Sequence, residues 1–395
     1  MAQDKNQKTL NVPPLRFPGF TDEWKKITLG EIGETMIGLT YSPKDVVENG
    51  GTIVFRSSNI QNGMIDYSDL VRVTKPIKER IITKEKDILI CARNGSQRLI
   101  GKNTLLRESD AGNTFGAFMM VYRSDDNDII HPLLSTKQYI SQVAENLGAR
   151  INQITTSDLN SFEFFLPLES EEKRKIGQLF AIINERIATQ NKIIEDLKKL
   201  KSAIIDCHFN GRKANNRLGD LIHEVSNRNK RNTDLPVLSV SNRQGFIAQS
   251  EQFENRIIAS DDTSNYKIVI KNDFAYNPAR INVGSIARLV NYESGIVSPM
   301  YICFRCSDEI LPEYLELFFQ SRYFQLEVEK RLEGSVRQCL SIDGIKSIQF
   351  GIFSISVQKV FAEKLKTIQT KLDNEETMNL LYQAKRKYLL SNMFI

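Results

Sequence analysis

The sequence predicts an α+β protein: two similar mixed α/β domains, separated by two long helices that form an antiparallel coiled coil, with a pseudo-twofold internal repeat. Three observations support this. The chain has 395 residues, which suits two or three domains rather than one. Two helical stretches, residues 176–209 and 361–394, align without a gap at an offset of 185. The segments before the two stretches also correspond, in the same order.

The two helical stretches carry the apolar seam of a coiled coil, with seam positions spaced alternately four and three residues apart. Polar residues interrupt the seam at matching places, Gln190 with Glu375 and Lys201 with Arg386. Each stretch would span roughly 50 Å at about 1.5 Å per residue. The alternative is two unrelated amphipathic helices, which the shared interruptions disfavour. The predicted seam residues are Ile176, Phe180, Ile183, Ile187, Leu197, Ile204, Phe361, Leu365, Ile368, Leu372, Tyr382 and Leu389.

A mixed domain of short strands, rich in β-branched and aromatic residues with Gly/Asn turns, precedes each long helix. KDILICARNGS (86–96) resembles NDFAYNPARINVGS (272–285), and residues 148–164 match residues 334–350. The predicted boundaries are 1–168 for the first domain with an N-terminal arm, 169–209 for the first long helix, 210–353 for the second domain and 354–395 for the second long helix.

Composition excludes several classes of protein. There is no apolar run of 18 residues, so no transmembrane helix is expected. Residues 1–17 lack the features of a secretory signal and are expected to form a loose arm. The odd number of cysteines, 5, fits free thiols in a reducing cytoplasm. A net charge of +5 permits nucleic-acid binding without arguing for it.

Four patterns that could indicate catalysis or metal binding fail on inspection. Asn277-Pro278 lacks the second proline and the aromatic residue of an amino-methyltransferase loop. Residues 95–103 place five residues, not four, between the glycines of a phosphate-binding loop. Cys303 and Cys306 lie in a predicted strand, where residues three apart point to opposite faces, and read as buried thiols. The 3 histidines lack metal-like partners. We therefore expect no catalytic residue, no metal site and no cofactor in this chain.

Side chains suited to reading DNA collect in the glycine-marked turns of both halves. Arg pairs with guanine edges and Asn or Gln with adenine edges, while Lys, Ser and Thr hold phosphates. For any single residue the alternative is an ordinary exposed polar turn. The candidates are Arg56, Ser58, Asn59, Gln61, Arg93, Asn94, Ser96, Gln97, Arg98, Lys102, Arg150, Asn152, Gln153, Ser241, Asn242, Arg243, Gln244, Asn277, Arg280, Asn282, Ser285, Arg337 and Gln338.

The opening block RFPGFTDEWKKITLGEIGE (16–34), the paired SSN and VSN segments, DFAYNPARINVGSIA and both long helices resemble the specificity (S) subunits of bacterial type I restriction-modification systems. The resemblance covers essentially the whole chain. It implies two target-recognition domains that each read part of a bipartite DNA site. It also implies that the chain does no chemistry and binds two methyltransferase subunits, which methylate adenine, and motor-nuclease subunits. S-adenosylmethionine, ATP and Mg are expected on those partners.

Two other functions stay open at the level of sequence: a protein-binding scaffold that does not bind DNA, and a stand-alone DNA methyltransferase. The missing cofactor-binding and Asn/Asp-Pro-Pro signatures argue against the methyltransferase. Residue types do not give the target bases or the spacer length, because loop geometry decides which side chain meets which base edge.

Overall fold

A computed structural model describes residues 11–147, 152–210, 214–242, 244–252, 262–334 and 338–395. The chain divides into two compact units. Unit 1 comprises Met1–Lys192 and Thr377–Ile395, and unit 2 comprises Ile193–Glu376. Each unit thus contains one mixed domain and a segment of each long helix.

The first half of the chain forms a mixed domain that leads into a long helix. Its strands are β1 Lys25–Thr28, β2 Glu34–Ile37, β3 Val46–Val47, β4 Thr52–Phe55, β5 Ile60–Gln61, β6 Met64–Ile65, β7 Val71–Val73, β8 Ile88–Cys91, β9 Asn103–Leu105, β10 Thr114–Phe115, β11 Met119–Arg123 and β12 Glu163–Leu166. Its helices are α1 Leu29–Ile32, α2 Asn127–Leu133, α3 Lys137–Leu147, α4 Thr156–Ser161 and the long α5 Ser170–Phe209.

The second half repeats this order. Its strands are β13 Asn216–Arg217, β14 Ile222–Glu224, β15 Val237–Ser241, β16 Gly245–Ala248, β17 Lys267–Ile270, β18 Phe274–Tyr276, β19 Ile286–Arg288, β20 Ser294–Val297, β21 Ile302–Cys306 and β22 Gln349–Phe350. Its helices are α6 Leu218–Leu221, α7 Gln249–Gln252, α8 Pro312–Phe319, α9 Arg322–Glu329, α10 Ile342–Lys346 and the long α11 Ile355–Asn392.

The central sheet of unit 1 is antiparallel, with strand order β2-β11-β8-β9. Successive side chains of a strand point to opposite faces. Ile88 and Ile90 therefore enter one core cluster, which also contains residues of α5 and α11, while Leu89 and Cys91 enter the cluster on the other face. Burial on both faces explains why β8 is an uninterrupted apolar run.

The central sheet of unit 2 has the matching order β14-β21-β18-β19. Phe274 and Tyr276 of β18 enter the cluster that contains segments of the long helices, and Ala275 enters the cluster on the opposite face. The sequence match between residues 86–96 and 272–285 thus reflects the same strand in the same place of two sheets.

The remaining sheets correspond in part. A second sheet has order β10-β4-β7-β3 in unit 1 and β16-β15-β20-β17 in unit 2, and each contains one parallel pair, β4 with β10 and β15 with β20. The strand pairs β1·β12 and β13·β22 join the beginning of each domain to the segment just before its long helix. The predicted fold class, with its internal repeat, is confirmed.

Within unit 1 the α5 and α11 segments run antiparallel. The Arg386 guanidinium donates to Asn184 Oδ1 (2.7 Å), and the Asn379 amide donates to Asn191 Oδ1 (2.9 Å). A step of seven residues forward in α5 thus corresponds to seven backward in α11. In unit 2, Lys201 Nζ donates to Gln369 Oε1 (2.7 Å).

The two cation–amide contacts are equivalent in the repeat, because Asn184 and Lys201 precede Gln369 and Arg386 by the same offset of 185. Lys201 and Arg386 interrupt the predicted seam, and each donates a hydrogen bond to an amide side chain of the other long helix. Among helices in the described part of the chain, none has the length and apolar character needed to cross a bilayer.

The predicted seam residues of both long helices are all buried or half-buried. The buried members are Ile176, Phe180, Ile183, Phe361, Leu365, Leu372 and Leu389, and the half-buried members are Ile187, Leu197, Ile204, Ile368 and Tyr382.

Residues 11–17 do not form the loose arm that the sequence suggested. The Leu15 N–H donates to the Asn392 carbonyl at the end of α11 (2.8 Å). Arg16 forms a bidentate ion pair with Glu172 in the first turn of α5 (2.6 and 2.7 Å), and the Glu172 side chain is 1% exposed. The segment is thereby tied to both long helices. The part of the predicted arm at residues 1–10 lies outside the described residues.

Candidate nucleic-acid interface

The predicted residues that follow β8 come together with two other segments of unit 1. The Asn94 side chain donates to Ser57 Oγ (3.1 Å), and its backbone N–H donates to the Asn152 carbonyl (3.4 Å). Arg93 and Gln153 form an isolated antiparallel bridge. Chain segments separated by tens of residues thus meet where β8 ends. We call Arg93, Asn94, Ser96, Asn152 and Gln153 the unit 1 loop cluster.

Other predicted residues of unit 1 are occupied within the protein. Asn59 is 1% exposed, its Oδ1 accepts from the Arg56 N–H, and its amide donates to two backbone carbonyls. Its side chain thus presents no group outward in this structure, and its predicted contact with DNA stays a prediction. Arg56 pairs with Asp69 (2.7 Å), and the Gln61 amide donates to the Ser58 carbonyl. Ser58 is exposed.

Three further candidates follow the cluster along the chain. Gln97 and Arg98 are exposed on a single 3-10 turn, Gln97–Leu99. Lys102 is half-buried, and its carbonyl accepts from the Cys91 N–H (2.8 Å). This hydrogen bond ties the basic turn to the end of β8. Arg150 lies outside the described residues.

The corresponding turns of unit 2 also converge. A small cavity of about 50 Å³ is lined by Val240, Ser241, Asn242, Arg280, Val283 and Ser285. The Asn242 amide donates to the Val283 carbonyl (3.4 Å), which joins the turn after β15 to the turn after β18. Arg280, Asn282, Gln244 and Gln338 are exposed. Arg243 and Arg337 lie outside the described residues.

Two predicted residues of unit 2 are buried and serve the loop itself. Asn277 is 7% exposed, and its Oδ1 accepts from the Ala279 N–H (3.1 Å). Ser285 is 4% exposed, and its Oγ donates to the Val240 carbonyl (3.2 Å). Both side chains are thus engaged within the protein in this structure, and their predicted contacts with DNA stay predictions.

Strand pairing gives the residue-by-residue equivalence of the two loops. The Ile154 N–H donates to the Ala92 carbonyl, and the Leu340 N–H donates to the Pro278 carbonyl, both at 3.0 Å. Ala92 therefore corresponds to Pro278, and Asn94 to Arg280. The cation of the first loop, Arg93, stands one residue earlier in the repeat than the cation of the second.

An ion pair between an arginine and a buried aspartate fixes the strand that leads into each loop. Arg123 holds Asp87 through two hydrogen bonds (2.8 and 2.7 Å), and Arg305 holds Asp273 in the same way (2.6 and 3.0 Å). The aspartate side chains are 1% and 0% exposed. Asp87 also accepts a hydrogen bond from the Lys84 N–H in the preceding turn, and Asp273 accepts one from the Ile270 N–H.

Sequence reasoning missed Phe118, which lies beside the unit 1 loop cluster. Its ring is 60% exposed, and the Arg93 guanidinium lies over it, 5.2 Å from the ring centroid. The Phe118 carbonyl accepts from the N–H groups of Ala92 and Arg93 (2.9 and 3.0 Å). The available signal was an aromatic residue in a glycine-containing turn, outside the alternating pattern of β11.

The cysteine pair in β21 is structural. Cys303 belongs to one core cluster of unit 2 and Cys306 packs against the other. Burial raises the pKa of each thiol to about 12, so both stay protonated at neutral pH. Within the described residues, no group of three or more His, Cys, Asp or Glu side chains is arranged to hold a metal ion.

A larger groove, about 1120 Å³, lies elsewhere in unit 1, between the mixed domain and the segments of α5 and α11. His131, Asp128 and Arg386 line it. Burial, and to a lesser extent the positive charge of Arg386, lowers the pKa of His131 to about 4, and Asp128 opposes this shift. His131 is therefore neutral in the folded protein near pH 7.

This depressed pKa predicts acid sensitivity of unit 1. Between about pH 6.5 and pH 4 the unfolded state binds a proton at His131 that the folded state does not. The stabilisation is thus complete above pH 6.5 and is lost as the pH falls toward 4, by about 1–3 kcal/mol. Native-state hydrogen exchange in unit 1, corrected for the intrinsic exchange rate at each pH, measures it in the wild type and in His131→Gln. The glutamine variant should lose less stability on acidification, and equal losses would contradict the prediction.

Comparisons with known proteins agree with this architecture. Residues 21–199 match the model of the type I restriction modification DNA specificity domain. The EcoKI type I restriction enzyme specificity subunit of Escherichia coli K12 is 24% identical over 335 residues, which cover 75% of this chain and 71% of that protein. The StySPI specificity subunit of Salmonella potsdam is 26% identical over 200 residues, 48% of this chain and 43% of that protein.

Solved structures share the fold. The S subunit of a type I restriction-modification system from M. genitalium covers 97% of this chain and 99% of its own, with a TM-score of 0.62 and 15% identity. A structure described in connection with complex assembly and conformational transition of the type I system matches with a TM-score of 0.50, 13% identity, and 96% and 98% coverage. The chain is thus similar over most of its length to a type I restriction enzyme specificity subunit, and it shares the fold of a solved S subunit.

Proposed function

We propose that this chain is the DNA sequence-specificity subunit of a type I restriction-modification complex, and that each mixed domain reads one half of a bipartite, asymmetric target. The carrying observation is the pair of equivalent loops with different side chains. One presents Arg93 and Asn94, and the other presents Ala279 and Arg280 at the matching positions. Equivalent frames with unlike side chains suit two unlike blocks of sequence.

We propose further that the chain does no chemistry itself. Asn277, the residue that could mimic an amino-methyltransferase loop, is buried and bonded to the Ala279 N–H. This supports the proposal, because the amide oxygen that would accept from a target amino group already accepts a hydrogen bond within the protein. Adenine methylation would belong to methyltransferase subunits that carry S-adenosylmethionine, and ATP and Mg would belong to motor-nuclease subunits.

The long helices offer docking surfaces for two methyltransferase subunits. In unit 1, Ile182, Leu381 and Tyr388 are 57%, 60% and 60% exposed on α5 and α11. In unit 2, Leu200 and Val360 are each 50% exposed. Apolar side chains exposed on helices that already pair with each other suit contacts with a further protein. The two patches are not equivalent in the repeat, because Ile182 and Leu381 correspond to Thr367 and Asp196 at the offset of 185.

The test of DNA reading is a mobility-shift assay of the complex with methyltransferase subunits, at several salt concentrations. Arg93→Ala should lower affinity for the target by about 1–3 kcal/mol, about 5- to 150-fold, and relax one position of the block that unit 1 reads. Arg280→Ala should do the same in the other block. The target comes from mapping methylated adenines in cells that express the complex.

The matched control is Lys102→Ala, which removes a cation from the same region. If Lys102 contacts phosphate, all sequences should weaken alike and the salt dependence should become shallower by about one ion. Unchanged target sequence and affinity in both arginine variants would refute the site assignment. A complex that assembles but shows no salt-dependent DNA binding would favour the protein-binding scaffold.

A further inference from the structure

Phe118 is a large apolar side chain that is 60% exposed in unit 1. It lies in the turn between β10 and β11, where the Met119 N–H donates to the Gly116 carbonyl (2.8 Å). Gly38 allows this turn to approach, because a Cβ there would lie 2.2 Å from the Phe115 oxygen and 2.3 Å from the Gly116 oxygen. The turn is therefore fixed at its backbone, and 60% of the Phe118 surface still faces outward.

The repeat contains the same feature a second time. Met300 occupies the position in unit 2 that Phe118 occupies in unit 1, one residue before the segment in which Tyr301 matches Met119. The Tyr301 N–H donates to the Ser298 carbonyl (3.1 Å), which reproduces the unit 1 turn, and Met300 is 52% exposed. Both domains thus present an exposed apolar side chain from the same turn.

The neighbours of Phe118 indicate what it would meet. Arg93 lies over its ring, and the Phe118 carbonyl is bonded to the backbone of that same loop. Arg93 belongs to the same polar loop cluster as Asn94, Asn152 and Gln153. A protein partner would bury the ring in an apolar patch, whereas here the ring stands beside an exposed arginine suited to a base edge. In the major groove, the apolar group of a base edge is the 5-methyl of thymine.

We propose that Phe118 is a specificity-determining residue that contacts the 5-methyl group of a thymine in the block read by unit 1, while its ring face holds the Arg93 guanidinium toward a neighbouring base. This rests on the proposed DNA-reading function. An arginine stacked on an aromatic ring loses less freedom on binding, so the two side chains act as one reading element.

The experiment replaces each thymine of the unit 1 block, one at a time, by deoxyuridine, which lacks only the methyl group. For the wild-type complex, one substitution should weaken binding about three- to tenfold, the effect expected for one buried methyl. Phe118→Ala should weaken binding to the thymine target by a similar factor and should no longer distinguish thymine from deoxyuridine there. Phe118→Leu, which keeps apolar surface, should retain part of the distinction.

Ile140→Ala is the matched control, because Ile140 is also 60% exposed in unit 1 but lies on α3. It should keep the full deoxyuridine effect. The inference is overturned if the unit 1 block contains no thymine, if no thymine in it is sensitive, or if the sensitivity survives in Phe118→Ala. A wild-type complex without sequence-selective binding would instead overturn the proposed function itself.

Discussion

Arg123→Leu is expected to lower the free energy of unfolding of unit 1 by about 3–5 kcal/mol. The substitution removes both hydrogen bonds from Arg123 to Asp87. It also removes the hydrogen bond from Arg123 to the Ile82 carbonyl (3.0 Å). The Asp87 carboxylate is 1% exposed and would stay in the core without a counter-charge. Leaving one charge buried without a partner costs more free energy of unfolding than the intact ion pair contributes.

Hydrogen exchange measures this effect in each unit separately, which a single unfolding transition of a two-unit chain does not. Exchange should quicken in peptides that cover β8 and β11. Arg305→Leu is the matched variant, because Asp273 is 0% exposed, and it should quicken exchange in β18 and β21. The double variant Asp87→Asn, Arg123→Leu should recover part of the loss, since no charge is left buried. A loss below about 1 kcal/mol in Arg123→Leu would contradict the argument.

Deleting one heptad from both long helices should abolish methylation of the original target and shift activity to sites with a shorter gap. Residues 190–196 and 375–381 are equivalent at the offset of 185, and their removal spares the Asn184–Arg386 and Lys201–Gln369 contacts. Seven helical residues rise about 10 Å, which corresponds to about three base pairs of DNA. The prediction depends on the proposed role of the helices in setting the spacer.

The measurement is a map of methylated adenines in cells that express the variant with its methyltransferase subunits. A deletion from α5 alone is the control, and it should prevent stable pairing because the two seams no longer match. Circular dichroism shows whether each variant folds. A folded double-deletion variant that still methylates the original target, with its gap unchanged, would refute the strut hypothesis.

The sequence predicts the framework well, because long-period patterns carry it. The heptad seam runs from Ile176 to Ile204 and from Phe361 to Leu389, and its interruptions at Lys201 and Arg386 repeat at a fixed offset. The strands of the central sheets are signalled by short apolar runs such as β8. The docking of residues 11–17 was missed, because a bidentate pair such as Arg16–Glu172 joins positions more than 150 residues apart.

The candidate loops were found as segments but not as individual side chains. Asn59, Asn94 and Asn277 all follow apolar strands and look alike in sequence. Turn geometry sends the first and third inward, to cap backbone N–H groups, and leaves Asn94 half-buried within the loop cluster. Phe118 was missed because an aromatic residue next to a strand is usually part of the core, whereas this one is exposed.

Arg93 and Arg280 do not occupy equivalent positions of the repeat: Arg93 stands one residue earlier. This offset matters for engineering the two reading loops. The flanking frame is shared: Lys86 and Asn272 both adopt a left-handed backbone (φ 65° and 71°), and Asp87 and Asp273 begin equivalent strands. A transplant of one reading loop into the other half should therefore be cut at these aspartates. It should be matched by backbone pairing rather than by aligning arginines, because alignment by residue type would rotate every grafted side chain to the wrong face.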